Sequence, residues 1–395
     1  LKAETLDPAV AEKIVGLYVH IPFCSVKCFY CDFAAFSGQG RTARRYLAAL
    51  EREAGLAPKR EPGTLYVGGG TPSELAAGEI QELFALLARA YPGACFQEVT
   101  FEANPESLDA RKLRLLSRAG VTRLSLGLQA ADDALLGAIG RRHTVEDFLD
   151  VFRAARQEGL AVNVDLIYAL PGQTLESWLA GLRLVLGLEP EHVSVYGLQV
   201  EDRTLFAKRG VEADEDLGRE MFEAALELLG DAGYRHYEIS NFARPGFESL
   251  HNRNYWRDGE YIGLGCGAAS HLNGERWTSI ERLLPYCEAL EKGRLPKAES
   301  ERLTGRRKLG EAALLGLRLL EGLELTPQLE AAFEGEWREL RAEGLLEREG
   351  SRARLTREGV FLANRVFRRF VSPFSEETAL RGEGLHGTAQ EALRP

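Results

Sequence analysis

The sequence lacks any apolar run near the roughly 18 residues that a membrane-spanning helix needs. Its opening residues, LKAETLDPAVAEK, lack the basic-then-apolar order of a secretion signal. Basic charge is not in excess: 49 Lys and Arg stand against 59 Asp and Glu, for a net charge of −10. That balance speaks against broad binding to nucleic acid or to an anionic membrane. Methionine is nearly missing, with Met221 alone, and cysteine is scarce, with six in 395 residues. A secreted chain held by disulfides would not bunch half of so few cysteines within eight residues, as Cys24, Cys28 and Cys31 are bunched here. Cys95, Cys266 and Cys287 are scattered and read as small buried hydrophobes. A cytoplasmic location follows as the expectation.

What is present is a rhythm. Hydrophobic residues make up 45% and charged residues 27%, an ordinary globular balance. Short β-like runs occur at 17–21, 64–68, 98–103, 123–129, 161–168 and 192–199, separated by amphipathic stretches with apolar residues near i, i+3, i+4 and i+7. Such alternation predicts a parallel sheet. Six units, with polar residues gathered where the strands end, predict an incomplete (β/α)6 barrel whose strand ends carry the chemistry. A seventh extended run, YRHYEISNFA (234–243), leads into the Gly- and aromatic-rich segment at 251–270. The composition shifts near residue 297, and the order helix (306–320), helix (327–344), hairpin, helix predicts a winged-helix-like α+β module. Residues 305–371 hold 13 Lys and Arg against 11 Asp and Glu, too balanced for DNA binding, so a packing or partner role is expected. The expected organisation is an extension (1–15), the partial barrel (16–245), a connecting segment (246–300), the C-terminal module (301–371) and a disordered tail (372–395).

The cysteines at 24–31, CSVKCFYC, follow the first strand directly. A closed zinc site wants four ligands, and His20 or Asp32 are available as the fourth, but the spacing is not the usual C-x2-C knuckle. A [4Fe–4S] cubane fits better: three thiolates leave one iron open to a substrate or cofactor. Other strand ends are also unusual. YVGGGTPSEL (66–75) has a local reading, with Thr71 as N-cap, Pro72 at the first helical position and Glu74 closing a capping box. That reading does not require Gly68, Gly69 and Gly70, which let backbone approach a ligand closely. Glu102, Gln129 and Asp165 stand near strand ends where a structural residue is more often apolar. Arg141 has the fork to meet a carboxylate.

C-x3-C-x-aromatic-C after the first strand of a βα barrel resembles the radical S-adenosylmethionine (SAM) superfamily, with Tyr30 at the aromatic position. The resemblance implies a cluster whose open iron is chelated by SAM. It also implies a SAM pocket formed by Tyr18, Gly69, Gly70, Thr71, Glu102, Gln129, Arg141 and Asp165. YVHIPFC, CDF, GGGTPS, FEANPE, VDLIYALPGQT, YEISNFA and HNRNYW, in that order, resemble the oxygen-independent coproporphyrinogen III oxidase-like family over about residues 15–370.

Within that family the oxidase branch has a further cysteine two positions past the third; here Phe33 stands there. The heme chaperone branch lacks that cysteine and carries H-N-x-x-Y-W, present as His251, Asn252, Tyr255 and Trp256. This resemblance implies heme binding and delivery to respiratory hemoproteins, with His251 as an iron ligand and Tyr255 and Trp256 against the porphyrin. The residues alone also allow an aromatic loop capping the barrel mouth, with His251 hydrogen-bonded inside. True oxidative decarboxylation of coproporphyrinogen III is the alternative activity, and a zinc-stabilised scaffold a third reading. Peripheral membrane contact, if any, would run through a partner or a surface patch. Ala169 stands where relatives usually have Gly, which suits Ala only if the local backbone angles allow it.

Overall fold

A computed structural model describes residues 14–32, 36–37 and 42–371. Phe33, the first residues of the expected extension and the tail from Ser372 lie outside the described residues. The described chain forms two compact units. Among the described residues, the first takes in those from 14 to 235 together with 240–251 and 260–301, and the second 236–239, 252–259 and 302–371.

The first unit is built on strands β1 (Gly16–Ile21), β2 (Thr64–Gly69), β3 (Glu98–Ala103), β4 (Arg123–Gln129), β5 (Ala161–Tyr168) and β6 (His192–Gly197). They pair in chain order and in parallel. Between them run α1 (Ala43–Leu56), α2 (Ala77–Ala90), α3 (Ala110–Arg118), α4 (Asp133–Ala138), α5 (Val145–Gln157) and α6 (Leu175–Leu188). These are the six units the sequence rhythm predicts. After β6 come α7 (Leu205–Lys208) and α8 (Glu215–Asp231). The seventh extended run is two short strands, β7 (Arg235–Glu238) and β8 (Asn241–Ala243), with a turn between them. The run does not close the barrel, because β8 pairs antiparallel to β6. On the other edge β9 (Tyr261–Leu264) adds parallel to β1. It continues antiparallel through β10 (Ala269–Leu272), β11 (Glu275–Ser279) and β12 (Lys297–Glu301).

Alternation along each strand sorts its two faces. Leu17, Val19, Leu65, Val67, Val99, Phe101, Leu124, Leu126, Val162, Val164, Val193 and Val195 are all buried. Each such side chain contributes about 1.5–3 kcal/mol. The opposite faces carry Tyr18, His20, Thr64, Tyr66, Glu98, Glu102, Arg123, Ser125, Asn163, Asp165, His192 and Ser194. A parallel strand buried only for stability is apolar on both faces; here one face carries polar side chains along most of its length.

The second unit holds α11 (Gly305–Gly316), α12 (Pro327–Ala332), α13 (Glu334–Ala342), α14 (Arg357–Phe361) and α15 (Ala363–Arg368), α9 and α10 being helices at 250–256 and 283–291. Strands β13 (Leu323–Glu324), β14 (Leu346–Glu349) and β15 (Arg352–Leu355) form an antiparallel sheet with β15 central. The expected helix at 327–344 is two helices, broken at Phe333 (φ −133°, ψ 33°). The break turns Phe333 fully into the core, where its ring meets Phe370 edge-on at 5.2 Å and Trp337 lies 4.5 Å from Phe370.

Candidate functional site

Thr71 follows the C-terminal end of β2. The expected capping box does not form there: the short 3-10 turn Pro72–Glu74 begins at Thr71 without a side-chain cap. The hydroxyl instead lies 3.5 Å from Cys24 Sγ and accepts from Asn104 Nδ2 at 3.2 Å. Asn104 Oδ1 in turn accepts from Arg141 at 2.8 Å, and a second guanidinium nitrogen approaches Cys28 Sγ at 3.6 Å. The result is a chain of polar contacts from Cys24 through Thr71, Asn104 and Arg141 to Cys28. Cys31 joins through its backbone, whose N–H donates to the Cys28 carbonyl at 3.2 Å.

None of the three cysteines is in a disulfide, and all are half-buried. Burial pushes the Cys24 thiol up despite the Thr71 bond, so its thiolate needs a cation to stabilise it. Burial works against the Arg141 charge, but Tyr30, Cys28 and Glu106 beside it hold its pKa above the usual value. Soft sulfur donors under a fixed positive charge suit an iron–sulfur cluster. Among the described residues no three His, Cys, Asp or Glu side chains form a group able to hold one metal ion. A cluster does not need that, since each thiolate reaches a different iron.

Two carboxylates face this corner. Glu102 accepts from the Tyr66 hydroxyl at 2.6 Å and from the Gly69 N–H at 3.0 Å. Burial pushes its pKa up to about 7, with Asp165 adding to the effect. Asp165 accepts from Ser125 at 3.0 Å and Asn163 at 2.9 Å, and burial raises it too. Carboxylates held this way gain from a cationic ligand. With Arg141 opposite, the corner has the charge pattern of a site for a ligand carrying both a cation and a carboxylate, as the methionyl part of SAM does. Gly69 takes φ +115° with its Cα against the His20 ring, where a Cβ would meet the imidazole at 2.7 Å. Gln129 ends β4 past a bulge and has φ 68°. Such strain in a non-glycine residue is characteristic of functional positions. Tyr18 completes the set, its hydroxyl 3.0 Å from His20 Nδ1 and its ring 6.1 Å from Tyr66.

Three contributors were not singled out from sequence: Tyr66, Asn104 and Gly127. Gly127 has no room for a Cβ, which would lie 2.5 Å from Arg141 and 2.6 Å from Gln129. Its carbonyl accepts from Arg141 at 2.9 Å. The period-two placement of Tyr66 two residues before Gly68 was the available signal.

HNRNYW is not a loop. It forms helix α9 (Leu250–Trp256), whose first N–H groups are taken by Glu98: Leu250 N at 3.0 Å and His251 N at 3.1 Å, with the Ser249 hydroxyl at 3.1 Å. Arg123 donates to the same carboxylate at 3.0 Å. His251 is 1% exposed. Its Nδ1 lies 2.8 Å from the Thr64 hydroxyl and its ring 5.3 Å from Tyr66. Gly16, Thr64 and Glu98, the first residues of β1, β2 and β3, surround it. His251 therefore plugs the N-terminal end of the strands, opposite the end that holds the cysteines. Burial pushes its pKa down to about 4, so the ring is neutral. Trp256, in the second unit, is 5% exposed with the Arg318 guanidinium 4.3 Å over its ring. Asn252 and Tyr255 are half-buried. Both His251 and Trp256 are therefore buried side chains here.

Of the scattered cysteines, Cys266 and Cys287 are buried as expected, but Cys95 is exposed. Ala169 adopts φ 58°, the left-handed region that favours glycine.

Comparison with known proteins agrees with this architecture. The radical SAM superfamily model matches residues 18–185, and the HemN C-terminal domain model matches 303–362. The chain is 35% identical to heme chaperone HemW of Lactococcus lactis, covering 91% of this chain and 98% of the relative. It is 34% identical to HemW of Bacillus subtilis, covering 90% and 98%. HemW of Escherichia coli is 40% identical over 64% of this chain and 69% of its own length. The structure of coproporphyrinogen III oxidase (HemN) from Escherichia coli superposes with a TM-score of 0.81 at 25% identity, covering 92% and 91% of the two chains. At these identities and coverages the chain belongs to the HemW family of the radical SAM superfamily.

Proposed function

We infer that this chain is a heme chaperone that carries a [4Fe–4S] cluster and SAM, binds heme and passes it to hemoproteins. The observation that carries the reading is identity of 34–35% to heme chaperones over 98% of their length. Cys24, Cys28 and Cys31 would hold the cluster. Tyr18, Gly69, Gly70, Thr71, Glu102, Gln129, Arg141 and Asp165 would hold SAM, with Tyr66 and Asn104 orienting Glu102, Thr71 and Arg141. When bound, the cluster supplies an iron with an open coordination position and a source of electrons. The residues of the chain bind and orient: Glu102 and Asp165 draw the cationic part of the ligand, and Arg141 its carboxylate.

Heme is the cargo. Half-buried Tyr255 and Asn252 would meet it first, and His251 would follow once the first turn of α9 opens. Respiratory hemoproteins are the proposed acceptors and the cytoplasm the proposed location. Any peripheral contact with a membrane is proposed to run through a partner or a surface patch; among the described residues no helix is long and apolar enough to cross a membrane.

The close likeness to the coproporphyrinogen III oxidase structure favours a second reading, oxidative decarboxylation of coproporphyrinogen III. Anaerobic reconstitution with iron and sulfide separates the two. The chaperone reading expects saturable heme binding and no protoporphyrinogen IX from coproporphyrinogen III, SAM and reductant. Product formation without heme binding would reverse the assignment.

A further inference from the structure

Tyr66 touches both ends of the polar face inside the first unit. Its hydroxyl donates to Glu102 Oε1 at 2.6 Å, and the other Glu102 oxygen accepts from Gly69 at 3.0 Å. Its ring centroid lies 5.3 Å from that of His251, with 34° between the planes. Tyr18, on the neighbouring strand, flanks it at 6.1 Å. The imidazole is itself fixed by Thr64 at 2.8 Å, and its backbone by Glu98 at 3.1 Å. Tyr66 is thus held at its hydroxyl by the carboxylate and contacted at its ring by the imidazole. A Cβ at Gly68 would lie 2.8 Å from both Glu102 and the Tyr66 ring, so no side chain separates the two.

We propose that Tyr66 links the SAM pocket to His251, so that SAM binding and departure of the His251 ring oppose each other. This rests on the reading of the cysteine corner as the SAM site and of α9 as the heme motif. If the imidazole leaves, a ring-sized space opens beside Tyr66, its hydroxyl is no longer held on line with Glu102, and the carboxylate loses its alignment for SAM. Linkage is reciprocal: SAM, by needing Glu102 in place, holds Tyr66 and through it His251. Heme taken up by His251 therefore weakens SAM binding, and SAM slows capture of heme by His251. Tyr66 is a positioning residue here, acting through Glu102.

A heme-free double-mutant cycle tests the linkage. SAM affinity is measured by anaerobic calorimetry on reconstituted protein of equal cluster content, for wild type, His251→Ala, Tyr66→Phe and the double variant. His251→Ala is expected to raise the SAM Kd about fivefold in the wild-type background and less than about twofold beside Tyr66→Phe, the small end of usual coupling factors. His251→Asn, which also lacks the ring, serves if the alanine variant does not fold. An unchanged Kd, or an equal change in both backgrounds, overturns the proposal. With heme added, saturation should weaken SAM binding in wild type and not in Tyr66→Phe. Heme that binds without touching SAM affinity overturns the linkage and leaves the chaperone reading standing. Failure to bind heme at all removes the chaperone reading, and the heme-free cycle still decides the coupling.

Discussion

The Nδ1 atom of His251 lies 2.8 Å from the hydroxyl of Thr64, the first residue of β2. This hydrogen bond holds the one histidine of HNRNYW inside the strand floor rather than at a surface. Thr64→Val keeps the shape and removes the partner, at a cost of about 1 kcal/mol for a buried bond. The expected outcome is faster heme association in stopped flow, together with a slightly lower urea midpoint. Heme association at the wild-type rate would mean that His251 does not gate uptake.

Glu98 ties three things together: the Arg123 guanidinium, the Ser249 hydroxyl and the first N–H groups of α9. Its side chain and that of Arg123 are both almost fully buried. Glu98→Gln removes the charge while Arg123 keeps its own. Breaking a buried pair from one side costs about 3 kcal/mol, and the helix loses a favourable anion at its N-terminus. Urea unfolding should show that loss; a change under 1 kcal/mol would contradict the role given to the pair.

Acid should weaken the hold on His251. An unfolded histidine titrates near 6.5 and folded His251 near 4, because burial penalises the charged ring. Between those values the unfolded chain binds the extra proton. The contribution of the neutral ring is therefore full above about 6.5 and is lost as pH falls toward 4. Glu53 and Glu102, both pushed up to about 7 by burial, act with the opposite sign, since the folded state then binds more protons between about 4.5 and 7. Comparing wild type with His251→Gln isolates the histidine. The stability gap between the two should shrink by about 2 kcal/mol from pH 7 to pH 5; a constant gap would mean that the ring is not buried neutral.

Ala169 sits at φ 58° just after β5, where a Cβ costs about 1 kcal/mol. Ala169→Gly should raise stability by about that amount, offset in part by the greater freedom of glycine in the unfolded chain. A lower thermal midpoint for the glycine variant would contradict the strain.

What the sequence made legible follows from what is local. The strands at 98–103 and 161–168 match their expected bounds because apolar residues alternate with polar ones along them. The cysteines and the strand-end acids were visible because polar residues there have no local structural use. The capping box expected at Thr71 does not form, although T-P-x-E is a sound capping signal on its own. The Thr71 hydroxyl is claimed by Cys24 and by Asn104, residues far away in sequence. The helix at HNRNYW depends on Glu98, over 150 residues earlier, so no local pattern announces it. The break at Phe333 falls on a residue that is itself neither Gly nor Pro, two positions before Gly335, and it turns that ring into the core.

Transfer of heme is the most direct measurement. Cluster-containing protein loaded with one heme per chain is mixed anaerobically with an apo-hemoprotein, and the Soret band is followed with and without a membrane separating the two. Movement of heme to the acceptor when the proteins are in contact, and much more slowly across the membrane, is the predicted result. Heme that stays bound, or that moves equally fast in both arrangements, would contradict a chaperone function.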